Sequence, residues 1–374
     1  MSSFTRADTS VIGRWWWTVD RWTLVAIVLL MGFGAVLMLA ASPAAGGRIG
    51  LDAFQLANRQ LLLLPFAAVL VFVLSLASPK FVRRFSVIGL LVFTFLLMLT
   101  LVLGHEIKGA SRWISLFGVS LQPSEFIKPF FAVSIAWLFN AEKENEDIPG
   151  SRIVAGYWAL LVTLLLLQPD VGQAFLVTAI WGAEFFLAGL SLLWVSGLIG
   201  GAVLGLVAAY FLLPHVTARI DSFFDPTAGD HYQIGRSIEA FMNGGLYGRG
   251  PGEGTVKAQL PDAHSDFIFA VAGEELGLIA CLMILGLFCF VVLRGFSRLL
   301  GENSLFVLLA VAGLLVQFGL QALINMASAL HLMPTKGMTL PFISYGGSSL
   351  VALAIGIGMV LALTRRRVGR EGMV

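Results

Sequence analysis

Apolar residues in this chain gather in long runs, and polar residues are largely confined to the segments between them. Ten runs stand out, at about 23–41, 61–77, 86–103, 121–139, 153–168, 172–189, 192–213, 267–293, 304–330 and 346–364. Each is close to the roughly 17–25 residues that a helix needs to cross a bilayer, where a helix satisfies its own backbone polar groups. The pattern predicts an all-α, polytopic integral membrane protein with about ten transmembrane helices. A tail, 1–22, precedes the membrane domain, 23–364, and a short tail, 365–374, follows it. Most connections are short, but a large loop, about 214–266, separates spans 7 and 8.

Composition sharpens this reading. Of 374 residues, 58% are hydrophobic and only 12% charged, too few charges for the surface of a water-soluble domain. A net charge of +2 lacks the basic excess that nucleic acid requires. Cys281 and Cys289 stand eight residues apart on one predicted helix. That is about 12 Å along the axis, beyond disulfide reach, and no Cys or His spacing fits a metal site. Arg6, Arg14 and Arg21, the apolar run after them and "ASPAA" at 41–45 outline a signal peptide. The run is longer than a typical h-region, and Trp15, Trp16, Trp17 and Trp22 read as an interfacial belt, so a retained helix is expected.

Charge sets the orientation. With the N-terminus inside, 14 of the 24 Lys and Arg fall on the inner side, where the turns "SPKFVRR" and "LTRRRVGR" are dense in cations. Both termini are therefore expected in the cytoplasm. Of the other ten, Arg48 and Arg59 fall in the first outer segment and eight fall in the loops "GHEIKGASRWISLFGVSLQPSEFIK", 214–266 and "HLMPTKGMTLPFISYGGSS", which with "QPDVG" make four unusual outer loops. Polar chemistry concentrated on one face locates function there.

Within these loops several residues are candidates. Asp266, at the start of span 8, fits a helix cap favoured by the helix dipole, and equally an ionised general base. Ala270, Gly273 and Gly277 line up beneath it, either for a packed helix or as a groove for a lipid chain. Glu274 and Glu275 are expected to pair inside the bundle, because an unpaired carboxylate at membrane depth is costly. Lys108, Arg112, Glu125 and Lys128 lie close in sequence, with Arg112 beside Trp113. Arg grips phosphate with a bidentate fork and Lys as a point charge, although both also serve as interface anchors. Glu125 follows Pro123-Ser124 at a helix start and can be structural there. Asp170 is expected to cap the tight "QPDVG" turn. The glycines of "RGPGEGTVK" permit close ligand approach but match no nucleotide fingerprint. Gln317, Gln321 and Asn325 recur every four residues, a stripe suited to interhelical hydrogen bonds.

Four of these segments occur in a fixed order: "KGASRWI…QPSEFIK", "QPDVG", "LPDAHSDFIFAVAGEELG" and "PTKGMTLPFISYGGSS". In that order on a ten-span chain they resemble the SEDS family (shape, elongation, division and sporulation), over about residues 20–365. The last segment resembles the cell-division branch, with the Lys-Gly after Pro-Thr that the elongation branch usually lacks. Ser265 stands where the family often has Thr, and Asp262 where Glu is common.

The resemblance implies a glycosyltransferase that polymerises peptidoglycan from lipid II at the outer face of the bacterial inner membrane. The family's essential acid corresponds to Asp266. Lys108, Arg112, Trp113, Glu125, Lys128, Arg249, Lys257, His264, Lys336, Ser344 and Ser348 are the implied substrate-binding residues. No protein metal site is expected, and a divalent cation, Mg or Mn, enters only as a helper. The implied partners are membrane lipid, a class B penicillin-binding protein of the FtsI-like type and other divisome proteins, at the division septum. A lipid flippase, an elongation polymerase and a non-catalytic divisome scaffold are the alternatives. A flippase needs polar groups through the depth of the bundle, where Glu184 and the glutamine stripe are the obvious ones.

Overall fold

A computed structural model describes residues 10–107, 110–116, 119–145, 147–189, 231–334 and 337–365, with scattered positions between 197 and 221. The described elements begin with the short α1 (Val11–Thr18), α2 (Arg21–Ile49), α3 (Gln55–Ser75) and α4 (Pro79–Leu103). After a small sheet come α5 (Pro123–Glu144), α6 (Gly150–Leu167) and α7 (Val171–Leu187). The chain then runs through α8 (His231–Gly244), a 3-10 turn at Val256–Gln259, α9 (Ile268–Leu299), α10 (Leu305–Ala329) and α11 (Gly347–Leu363). Local sequence sets several starts. Asp20, Ser78, Asp170 and Ser304 each accept a backbone N–H in the first turn of α2, α4, α7 and α10, which satisfies donors that a helix start leaves orphaned.

Among the described residues six helices, α2, α3, α4, α6, α9 and α10, are long and apolar enough to cross a membrane, and α7 and α11 are shorter apolar helices. The chain is a multi-pass membrane protein. Nine of the ten apolar runs coincide with described helices, and the seventh, 192–213, lies largely outside the described residues. The packing is centred on α5 and α11. Sixteen of the 22 residues of α5 are buried, as is nearly all of α11. The peripheral helices turn apolar side chains outward instead, among them Leu62, Phe95, Val102 and Leu293. That inversion suits lipid as the surrounding solvent.

The helical pattern missed one element. Between α4 and α5 a three-stranded antiparallel sheet forms from β1 (His105–Ile107), β2 (Ala110–Leu116) and β3 (Val119–Leu121). Its second ladder pairs Ile114 with Leu121 and Leu116 with Val119. The sheet tucks Ile114 into the interior and brings β2 back over α4 and α5.

Helix α9 is interrupted. Gly277 has φ 79° and ψ −178°, a conformation that glycine alone adopts without strain. The following segment, 278–299, has 22 residues and is about 33 Å long, which matches the hydrocarbon core. The interruption therefore divides α9 into a short first part and a second part of membrane-spanning length. The loop after α8 repairs it. Arg249 N and Gly250 N donate to the carbonyls of Glu274 and Glu275, while Leu278 N and Ile279 N donate to the carbonyls of Gly245 and Leu246, at 2.9–3.3 Å. Four backbone groups of α9 at the interruption are thus paired with the loop, as a buried backbone requires.

Candidate active site

Asp266 lies one residue before the N-cap of α9, which is Phe267, and α9 has no side-chain cap. The cap reading is thereby corrected: the turn 262–267 closes on itself instead, with the N–H groups of Ser265, Asp266 and Phe267 all donating to the carbonyl of Asp262. The Asp266 side chain is half-buried, and its Oδ2 lies 3.5 Å from the point where a Cβ on Gly337 would stand. A glycine at 337 keeps that approach open.

Three ties hold this turn against the loop before α11. Asn325 Nδ2 donates to the carbonyl of Asp266 at 3.0 Å and to that of Met338 at 2.6 Å. Ser344 Oγ donates to the carbonyl of Ser265 at 2.6 Å and accepts from Leu340 N at 2.8 Å. Tyr345 N donates to the carbonyl of His264 at 2.8 Å, and the rings of His264 and Tyr345 are 5.7 Å apart. One turn away on α10, Gln321 Nε2 donates to Thr339 and Ser349 at 3.1–3.2 Å. Thr339 and Ser349 are also hydrogen-bonded to each other at 2.6 Å. The backbone of the acid is therefore fixed from α10 and from the 337–349 loop together. The sequence offered only the stripe Gln317, Gln321 and Asn325 for this function; Gln321 and Asn325 form the bonds expected of it, whereas the buried Oε1 of Gln317 has no partner among the described residues.

Several candidate residues have other occupations. Lys128 is completely buried on α5, with Nζ 2.9 Å from Glu125 Oε2 and 3.0 Å from Gln321 Oε1, and Gln173 donates to Glu125. This pair is interior scaffolding that joins α5, α7 and α10, and it has no open face for substrate. Lys257 is also corrected: it is buried and ion-paired with Glu275. Ser344 and Ser348 are buried and structural, Ser348 accepting Gln122 N at 3.0 Å.

The glycine-rich loop holds internal anions in place of a ligand. Glu274 and Glu275, 0% and 1% exposed, point into it. Glu274 accepts Asn243 Nδ2, Thr255 N, Val256 N and Lys257 N, all at 2.8 Å. Glu275 accepts Gly252 N, Gly254 N and the Lys257 ammonium. The small residues beneath Asp266 are covered by α8, since a Cβ on Gly273 would strike the Phe241 ring. That outcome selects the packed-helix reading and removes the lipid groove from this face.

Arg112 and Trp113 are half-buried on β2. Arg112 donates to the carbonyls of Gln168 and Pro169 and lies 3.5 Å from Asp170 Oδ2. Asp170 caps α7 as expected. Burial raises its carboxyl above the usual range against the opposing charge of Arg112. Arg249 stays exposed, oriented by Asn243 at 2.9 Å. Lys108 and Lys336 lie outside the described residues. The site can therefore supply one half-exposed carboxylate on a rigid backbone, while Arg112 and Arg249 keep exposed or half-exposed cations on other segments.

The profile of the cell cycle protein family FtsW/RodA/SpoVE matches residues 21–368. A probable peptidoglycan glycosyltransferase FtsW of Caulobacter vibrioides is 46% identical over 371 residues, 99% of this chain and 95% of that protein. The protein of the same description from Escherichia coli O157:H7 is 35% identical, over 92% of this chain and 85% of its own length. Among solved structures, a chain from "Structural coordination of polymerization and crosslinking by a peptidoglycan synthase complex" superposes with a TM-score of 0.75 at 29% identity, covering 92% of this chain and 97% of that one. The Thermus thermophilus rod shape determining protein RodA superposes with a TM-score of 0.69 at 26% identity, covering 93% and 97%.

Proposed function

The chain belongs to the FtsW/RodA/SpoVE family of cell cycle proteins, and on that premise we propose that it is a peptidoglycan glycosyltransferase that polymerises lipid II, with Asp266 as general base. The observation that carries the role of Asp266 is its setting: a half-exposed carboxylate beside Gly337, on a turn tied down by Asn325, Ser344 and Tyr345. A base must be held where the reacting hydroxyl arrives, and a fixed backbone supplies that.

In the reaction a sugar 4-hydroxyl attacks an anomeric carbon that carries a lipid pyrophosphate. The new glycosidic bond forms as the bond to the pyrophosphate breaks. The hydroxyl proton passes to the Asp266 carboxylate, and the lipid pyrophosphate leaves with the electron pair. One direct displacement inverts the anomeric centre. Charge grows on the departing pyrophosphate, so cations must meet it. Arg112 and Arg249, with Lys108 and Lys336, are the groups we assign to that task. A divalent ion, Mg or Mn, would arrive on the pyrophosphate, as Mg²⁺ commonly does with substrate phosphates, and would add its charge to that of these cations.

The same reading puts the protein in the bacterial inner membrane, with termini in the cytoplasm and Asp266 on the periplasmic side at the division septum. A class B penicillin-binding protein is the proposed partner that cross-links the product, alongside other divisome proteins. Transport is the weaker alternative, because the deep polar groups Glu125, Lys128, Gln173 and Gln321 bond to one another, and of this set and Glu184 only Glu184, fully buried on α7, has carboxylate oxygens without a hydrogen-bond partner among the described residues.

The test is polymerisation of purified lipid II by the purified full chain, alone and with its transpeptidase partner. Asp266→Asn is expected to insert and fold normally and to yield no glycan. Full activity in that variant removes Asp266 from the mechanism.

A further inference from the structure

The end of the bundle opposite Asp266 carries charge that glycosyl transfer does not use. There α1 docks through Trp15, whose Nε1 donates to Ser75 Oγ at 2.7 Å and whose ring meets Phe72 edge-on at 4.7 Å. That contact turns Val11, Ile12, Trp16 and Trp17 outward, at 60%, 55%, 37% and 38% exposure. Arg21 lies over the rings of Trp16 and Trp17, 5.5 and 5.3 Å from their centroids. This is the composition of an interfacial helix, with apolar and indole groups beside cations.

The cations at this end divide into two sets. Arg294 and Arg298 are matched by the buried Asp20, with Arg294 Nε 2.7 Å and Arg298 Nη2 3.2 Å from its oxygens. Arg14 and Arg365 have no acid within ion-pair distance among the described residues. Arg14 is exposed, and Arg365, just beyond α11, buries its Nε where no acceptor meets it. The end of α11 packs on α3 where α1 docks, since a Cβ on Gly358 would lie 2.7 Å from Leu74, the neighbour of the Ser75 that holds Trp15, and burial and the nearby charge of Arg14 both weaken the hold of Arg365 on its proton. A buried guanidinium donor without an acceptor is costly, as is a like charge beside it, and one anion between the two relieves both costs.

We propose that α1 and the end of α11 form a binding site for the phosphodiester headgroup of an anionic membrane lipid. Arg14 and Arg365 grip the phosphate, and Val11, Ile12, Trp16 and Trp17 lie against the acyl chains. The apolar outward face of α1 selects a lipid over a free phosphate, because a soluble anion would leave those side chains in water. Lys80 and Arg84, exposed on the first turns of α4, extend the cationic rim and add attraction to an anionic leaflet.

The experiment is native mass spectrometry of the full chain in neutral detergent, titrated with phosphatidylglycerol or phosphatidylcholine. The wild type is expected to retain phosphatidylglycerol selectively. Arg14→Gln/Arg365→Gln should weaken that binding at least about tenfold with phosphatidylcholine unchanged. Arg14→Gln alone, at an exposed position, should cost several-fold without touching the fold. Arg48→Gln/Arg59→Gln removes the same charge from the other end and should change nothing. Millimolar glycerol phosphate should not displace the lipid. Wild-type affinity in both arginine variants, an equal loss in the Arg48/Arg59 control, or displacement by glycerol phosphate would each overturn the proposal.

Discussion

Glu274→Gln changes one atom and one charge at the interruption of α9, and its effect can be worked from the bonds it disturbs. Glu274 Oε1 accepts three N–H groups and Oε2 accepts Lys257 N, all at 2.8 Å. An amide with its oxygen at the Oε1 position keeps three acceptor contacts, now neutral, and faces Lys257 N with a second donor. Charge-assisted bonds contribute about 1.5–3 kcal/mol each and neutral ones about 0.5–1.5. Three bonds weakened by about 1–1.5 kcal/mol each and one lost bond of about 1.5–3 therefore amount to about 4.5–7.5 kcal/mol. At 1.4 kcal/mol per tenfold, the loop 248–257 should open about a thousandfold more often, or more. Hydrogen exchange read by mass spectrometry resolves this locally: amides 254–257 should lose protection while those of α5 and α10 keep theirs. Lipid II polymerisation should fall with it, because α9 begins directly after Asp266. Unchanged exchange at 254–257 would refute the reasoning, since it would mean that the loop is held without the carboxylate.

Gly277→Ala places a Cβ at φ 79° against Gly248 N and Leu246 O, both backbone atoms, and should cost at least about 2 kcal/mol. Gly286→Ala on the same helix meets open space and should melt like the wild type, so equal melting of the two variants would argue against a required interruption. Burial alone would raise the Asp20 carboxyl, but the Arg294 hydrogen bonds, the Arg298 charge and the Thr23 hydroxyl together hold it below its usual value. The stabilisation from a depressed carboxyl is present above the unfolded value, about 3.9, and is lost as pH falls below it. Asp20→Asn should thus melt below the wild type at neutral pH, and the gap should close below about pH 4; a gap that does not change with pH would contradict this. For orientation, Glu253→Cys in a Cys289→Ser background should react with an impermeant thiol reagent from the periplasmic side, and Leu300→Cys should not, whereas the reverse pattern would invert the topology.

Length and hydropathy by themselves determined the helices. A run of about twenty apolar residues in a bilayer has one low-energy backbone, so helices appear at nine of the ten runs, six of them long and apolar enough to cross a membrane among the described residues. Capping was equally local: Asp170 sits at the start of α7 as its turn chemistry dictates. Asp266 was reached by resemblance of its motif, and its rejection as a cap came only from the coordinates. Tertiary structure alone decided which charges are available. In sequence, Lys128 and Lys257 look like Arg112 and Arg249, cations in outer polar segments. In space, Lys128 is buried against Glu125 and Lys257 against Glu275, while Arg112 keeps an exposed edge and Arg249 remains on the surface. Lys128 takes its counter-charge from Glu125 one turn away on the same helix, but Gln321, its second partner, lies 193 residues on, and Glu275 lies 18 residues from Lys257 on another element. A charge in a low-dielectric interior takes whatever counter-charge the packing brings within reach. Periodicity reports which face of a helix is buried, but not which helix that face will meet.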